Sequence, residues 1–219
     1  MCGRFVLVAL ADEIADMFDL HAVPDPFAQR FNVAPSQQIA VITNGKPGEL
    51  AWHRWGLIPS WAKEAKIGYR MINARSETAA EKPSFRAAFR SRRCLIPASG
   101  FFEWQRRGKQ KRPIYISLRD RPLFAFAGLW EVWRKPDGET VPSVTILTTV
   151  ANSLMADIHL RMPVILQQED HATWLTPASR EVHQTLLRPC AAELMQAWPV
   201  STLVNRPAND TPETIEPLL

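Results

Sequence analysis

Between Cys94 and Val150 the chain is dominated by four runs rich in β-branched and aromatic residues: CLIPASGFFEWQ, RPIYISL, PLFAFAGLWEVW and SVTILTTV. Residues of these types fit a pleated, half-buried surface. No helical period separates one run from the next. RRGKQKR, which links the first two, reads as an exposed hairpin tip. The expected core is therefore a mostly antiparallel, barrel-like sheet. IAVITN and LAWHRWGLIP read as two further strands joined by a KPGE turn. Helical patterns flank the strands. ADEIADMF sets Ile14, Met17 and Phe18 at i, i+3 and i+4, and SETAAEKPSFRAAFRSRR sets Phe85, Ala88 and Phe89 on one face. Past MPVILQ, the segments EDHATWL, ASREVHQTLL and CAAELMQAW read as helical. The class is α+β, a β-rich single domain, rather than alternating β/α.

A chain of 219 residues suits one such domain with a tail, and 46% apolar residues are enough for a core. The domain is drawn as residues 1–204. The tail, NRPANDTPETIEPLL, spans 205–219; its prolines and acids predict loose order. No run approaches the roughly 18 apolar residues of a membrane span. The N-terminus lacks an apolar signal core. Cys2, Cys94 and Cys190 are spaced for neither a disulfide framework nor zinc. These features predict a protein of the reducing cytoplasm, with no membrane partner, metal or organic cofactor; a monomer is the default expectation, which no feature of the sequence addresses. Cys94 and Cys190 read as core or surface thiols.

The net charge is only +4, but it is concentrated: residues 86–121 hold eleven Arg or Lys against Glu103 and Asp120. This is either a footprint for a phosphate backbone or a solvated basic face.

The opening MCGRF raises a chemical question. A cysteine used for packing is poorly placed at a chain end, which frays. Removal of Met1 would leave an α-amine and a thiol on one residue. With pKa values of about 8 and about 8.5, both are partly deprotonated near neutral pH. Such a 1,2-aminothiol attacks one carbonyl twice: the amine forms a Schiff base and the thiolate closes a thiazolidine.

Three polar residues sit inside apolar or small-residue stretches: Asn73 in RMINARSET, Glu103 in ASGFFEWQ and His159 in MADIHLRMPV. Glu103 is either a partly desolvated general acid between Phe102 and Trp104, or a surface residue on an alternating strand. His159 is either a proton shuttle or a hydrogen-bonded structural histidine. Trp52, Trp55, Trp61 and Trp104 lie near Gly, Pro or charged residues, as stacking on unpaired bases requires, whereas Trp130 and Trp133 read as core.

Taken in order, MCGRF, RFNVAPSQ, WGLIPSWA, MINARSET, CLIPASGFFEW and IHLRMPVIL resemble the SOS-response-associated peptidase (SRAP) family, the abasic-site processing proteins. The resemblance implies covalent shielding of abasic sites in single-stranded DNA, after autocatalytic removal of Met1, with a possible lyase-type reversal. It implies Cys2 as nucleophile, with Glu103 orienting the amine and moving protons. His159 would serve as acid and base for ring opening and reversal, and Asn73 would hold the terminus and sugar. Arg4, Arg75 and Arg161 would bind phosphates, and Trp61 and Trp104 would wedge against or stack on flanking bases. The implied location is the cytoplasm, at damaged DNA of the nucleoid. Two positions depart from the family pattern: Phe102 stands where GFYEW has a tyrosine, and Leu160 follows the histidine where an acidic or amide residue is common. Two other classes fit parts of the pattern. Class II glutamine amidotransferases also begin Met-Cys-Gly and would release ammonia from glutamine. A non-catalytic single-strand-binding module would leave no adduct that survives denaturation.

Overall fold

The computed structural model describes residues 2–108 and 110–218, so Met1 and Lys109 of the basic stretch lie outside the described residues, as does Leu219. The strands are β1 (Phe5–Leu7), β2 (Arg30–Val33), β3 (Gln38–Thr43), β4 (Leu50–Trp55), β5 (Asn73–Arg75), β6 (Arg93–Ala98), β7 (Gly100–Arg107), β8 (Gln110–Leu118), β9 (Phe124–Arg134), β10 (Thr140–Val150), β11 (Arg161–Pro163), β12 (Ile165–Leu166) and β13 (Met195–Pro199). The helices are short: α1 (Ala11–Phe18), α2 (Ser76–Ala79), α3 (Arg86–Ser91), α4 (Ser153–Ala156), α5 (His171–Leu175) and α6 (Arg180–Thr185). The class is the α+β arrangement expected.

Two sheets share the strands. One runs β13-β8-β7-β1-β2. The other runs β11-β10-β4-β3-β6-β9-β12, and a further β9–β10 pairing closes β10, β4, β3, β6 and β9 into a ring. Closure removes the open edges of those strands, which is how all-β cores avoid edge-to-edge association. Pairing around the ring is antiparallel except between β10 and β4.

Strand β1 joins the sheets. It lies between β2 and β7, and its buried Phe5 packs against Trp55 of β4 at 5.2 Å and Phe126 of β9 at 5.9 Å between ring centroids. The chain's beginning is therefore clamped into the main core. Gly100, opposite Val6 of β1, makes room for the Tyr115 side chain of β8: a Cβ there would lie 2.3 Å from the Tyr115 hydroxyl oxygen.

Local readings met tertiary packing in four places. The SETAAEKPSFRAAFRSRR helix is split into α2 and α3, yet Phe85, Ala88 and Phe89 are buried on one face as expected. CLIPASGFFEWQ is two strands, broken by a bend at Ser99. CAAELMQAW is not helical beyond a single 3-10 turn. Met195–Pro199 is β13, paired antiparallel to β8, because the open edge of β8 supplies ladder partners that outweigh local helix preference. The tail is not loose. The Asp210 carboxylate accepts from the backbone N–H of Phe31 and Asn32 and pairs with Arg30, and Thr214 is fully buried.

Candidate active site

Cys2 is completely buried in the main core cluster. Its Sγ–H faces the Arg4 carbonyl at 3.8 Å. Burial chiefly, and next the nearby negative charge of Glu103, push the thiol well above its ordinary pKa. At neutral pH the resting thiol is protonated, so a proton must be removed when sulfur attacks.

The β1–β7 pairing brings Glu103 close to Cys2. Phe5 pairs with Phe101, and the Phe102 N–H donates to the Arg4 carbonyl at 2.9 Å. Glu103 is 3% exposed, as are its neighbours Phe101 and Phe102 to a similar degree, so this stretch of β7 is buried on both faces and the surface-strand reading of Glu103 fails.

Asn73 approaches from the other sheet. β5 lies parallel to β10, with Asn73 opposite Ile146, and the Asn73 Nδ2 donates to the Cys2 carbonyl at 2.7 Å. Its Oδ1 is buried with no partner, an acceptor left open beside the terminus.

His159 follows α4, whose start is capped by the Asn152 side chain accepting from Met155 N–H. The ring is half-buried. Its Nδ1 lies 3.0 Å from the Arg161 N–H and 3.1 Å from the Arg161 carbonyl. The ring nitrogen can accept from the first or donate to the second, depending on the tautomer. Gln105 of β7 donates to the Asp157 carbonyl at 2.9 Å, which ties the strand carrying Glu103 to the loop carrying His159.

The arginines differ. Arg75 is exposed. Arg161 makes a bidentate pair with Glu77 at 2.7 and 2.9 Å. Arg4 is half-buried and donates to Asn32 Oδ1 at 2.7 Å and to the Val204 carbonyl at 2.6 Å. Its guanidinium lies 6.0 Å from the Trp104 ring centroid. Trp61 is 59% exposed, whereas Trp104 is half-buried with its indole N–H on Asn205 Oδ1 at 2.8 Å. Trp55 is fully buried and Trp52 stacks on Phe27, so neither offers a face to a base.

The basic stretch is not one surface. Arg93 is buried and donates to the carbonyls of Phe89, Arg90, Trp174 and Thr176; Arg92 pairs with Glu131. These two are structural, and the remaining charges divide among α3, the β7–β8 hairpin and the β8–β9 turn.

Sequence reasoning missed Glu77, Asn32 and Asn205. Asn32 carried the same signal as Asn73, an amide between apolar residues in RFNVAP. Glu77 and Asn205 carried none, since their partners lie 84 and 101 residues away. The two departures sit in different settings. Phe102 is buried against Tyr115 in an apolar cluster, where a hydroxyl would need its own partner, and Leu160 is 80% exposed.

A family model described as SOS response associated peptidase (SRAP) matches residues 1–207. The chain belongs to the SRAP family. It is 50% identical to Abasic site processing protein YoqW of Bacillus subtilis (strain 168), over 99% of each chain. It is 32% identical to Abasic site processing protein HMCES of Xenopus tropicalis, covering 89% of this chain and 68% of that one. Among solved structures, the chain is similar to a crystal structure of a Bacteroides thetaiotaomicron protein, with TM-score 0.93 and 30% identity over the full length of both. Among the described residues no helix is long and apolar enough to cross a membrane, and no group of three or more His, Cys, Asp or Glu is arranged to hold a metal.

Proposed function

We propose that this SRAP protein captures abasic sites in single-stranded DNA as a covalent thiazolidine on Cys2. The observation that carries the reading is the convergence on Cys2: a side chain from the opposite sheet holds its carbonyl, while a buried carboxylate stands close enough to act on its thiol. A cysteine needed only for packing requires neither. The names of the relatives supply the substrate class.

In the proposed sequence, Glu103 first assists hydrolysis of the Met1–Cys2 peptide bond, which frees the α-amine. His159 then moves a proton during opening of the abasic sugar to its aldehyde. The amine attacks the aldehyde carbon and one water leaves, giving the imine. The Cys2 sulfur adds to the imine carbon and its proton passes to nitrogen, closing the five-membered ring. Glu103 and His159 are the groups that carry the thiol proton, which burial otherwise holds on sulfur. The same pair running backwards opens the ring, adds water to the imine and releases the abasic aldehyde intact. Asn73 fixes the Cys2 carbonyl and offers its open Oδ1 to the amine or the sugar.

Arg75 is placed to meet a phosphate directly. Arg161 reaches one only in competition with Glu77, and Arg4 acts from a fixed position against Trp104. Trp61 offers an open aromatic face to a flanking base. The deciding experiment mixes protein lacking Met1, checked by mass, with a single strand carrying one abasic site, beside an undamaged strand. A denaturation-resistant band with the abasic strand alone is the expected result. No band would remove the chemistry, and release of ammonia from glutamine would then point to an amidohydrolase.

A further inference from the structure

The β7–β8 hairpin carries a charge arrangement that folding disfavours. Its register places Arg106 directly opposite Lys111, and like charges facing each other across an antiparallel pair are destabilising. Arg107 and Arg112 stand beside them on the same two strands. Among the described residues no carboxylate pairs with any of the four, and Arg107 has only a hydrogen bond from its Nε to Gln105. Arg106, Arg107 and Lys111 are exposed. Arg92–Glu131, Arg161–Glu77 and Arg180–Glu81 are neutralised pairs, while among the described residues other surface arginines such as Arg75 also lack a carboxylate. What sets the hairpin apart among the described strand pairs is two cations in directly opposed register.

Its position gives the opposed charges a meaning. Strand residues two apart share a face, so Arg106 stands on the face of Trp104, about 7 Å further along the strand at about 3.4 Å per residue. Lys111 joins it from the partner strand, beside Pro113, which pairs with Trp104. Glu103, which adjoins Cys2, and Gln105, which is tied to the His159 loop, alternate onto the other face of the same strand. One strand thus carries the carboxylate beside the nucleophile on one face and, on the other, an indole followed by an unneutralised pair of cations.

We infer that Arg106 and Lys111 form a phosphate clamp for the DNA strand leaving the site, gripping the backbone next to the nucleotide whose base meets Trp104. The clamp rests on the proposed capture of single-stranded DNA. Two cations facing one another match a backbone phosphate with several acceptor oxygens, and the bound anion removes the repulsion that the free hairpin carries. The contact is independent of sequence and sensitive to salt.

The test compares wild type with Arg106→Gln/Lys111→Gln, and with Arg86→Gln/Arg90→Gln as a control of equal charge on α3. Binding to an undamaged 20-nucleotide thymidine strand is measured across a salt series. The hairpin variant should bind about tenfold more weakly at low salt. Its log K against log salt slope should be shallower by about 0.7, the contribution of the one single-strand phosphate the clamp neutralises. It should melt at or above the wild-type temperature, because a repulsion has been removed. Capture of an abasic trinucleotide too short to reach the hairpin should proceed at the wild-type rate. An unchanged slope overturns the clamp, as does an equal loss in the α3 control. If the hairpin variant unfolds, Arg106→Gln alone should lower the slope by half as much, and no change there likewise overturns it. A wild type with a hairpin-dependent slope but no denaturation-resistant adduct would end the capture reading and leave the clamp standing.

Discussion

The Asn73 side chain donates to the carbonyl oxygen of Cys2 at 2.7 Å, across 71 residues of sequence and from one sheet to the other. Because β5 is held parallel against β10, this bond ties the terminus to the barrel. Asn73→Ala is expected to slow abasic-site capture by about fivefold, the order of one well-placed hydrogen bond of roughly 1 kcal/mol. Rapid-quench kinetics with an abasic strand measure it. A wild-type rate would strip Asn73 of its positioning role.

Cys2→Ala is expected to abolish the denaturation-resistant adduct while keeping salt-sensitive DNA binding. If Met1 is still removed, the remaining amine should form only an imine, visible on a gel after borohydride reduction and absent without it. A stable unreduced adduct from this variant would show that sulfur takes no part.

Glu103→Gln removes a charge that raises the Cys2 thiol, so the pH at which the thiol deprotonates should move down. Mass spectrometry of pH-dependent alkylation, resolved at Cys2 against Cys94 and Cys190, reads this directly. Capture by the same variant should nevertheless slow, because a proton carrier is lost. Faster capture with the lowered thiol would mean that deprotonation is limiting and that Glu103 only opposes it.

His53 is buried beside Trp130, and burial pushes its imidazole from the ordinary 6.5 down to about 4. The unfolded chain binds this proton at higher pH than the folded one does. Its stabilisation is therefore fully present above about pH 6.5 and is lost as pH falls toward about 4, by about 3 kcal/mol in all. His171 and His183, both lowered chiefly by burial, act in the same direction. Denaturant unfolding across this range should show the decline, and His53→Leu should flatten it. An equally steep decline in that variant would assign the effect elsewhere.

Asn32 is fully buried, accepts from Arg4 and donates to the carbonyls of Val204, Arg206 and Asn209. Asn32→Ala leaves those groups short of a partner and should cost about 3 kcal/mol, at about 1–3 kcal/mol for each buried group left unsatisfied. Chemical unfolding measures the cost. A loss under about 0.5 kcal/mol, the range of an unremarkable surface change, would show that the tail does not depend on this residue.

The readings that held rest on local pattern. Strands rich in β-branched and aromatic residues, the amphipathic α1 and the buried Phe85–Phe89 face are written in short windows, because a pleat or a helical turn imposes its period on neighbours in sequence. The motifs that carry the family likeness are equally local, which is why the SRAP family was legible in the chain alone. Tertiary structure decided what depends on partners far away. It turned Met195–Pro199 into a strand because β8 had an open edge, and fastened the tail because Asp210 meets the N–H groups of β2. It also buried Arg93 and Trp55 while leaving Arg106 and Lys111 facing each other unpaired. Burial and pairing are properties of the assembled surface, where a residue's neighbours can lie a hundred positions away, and no window of sequence contains them.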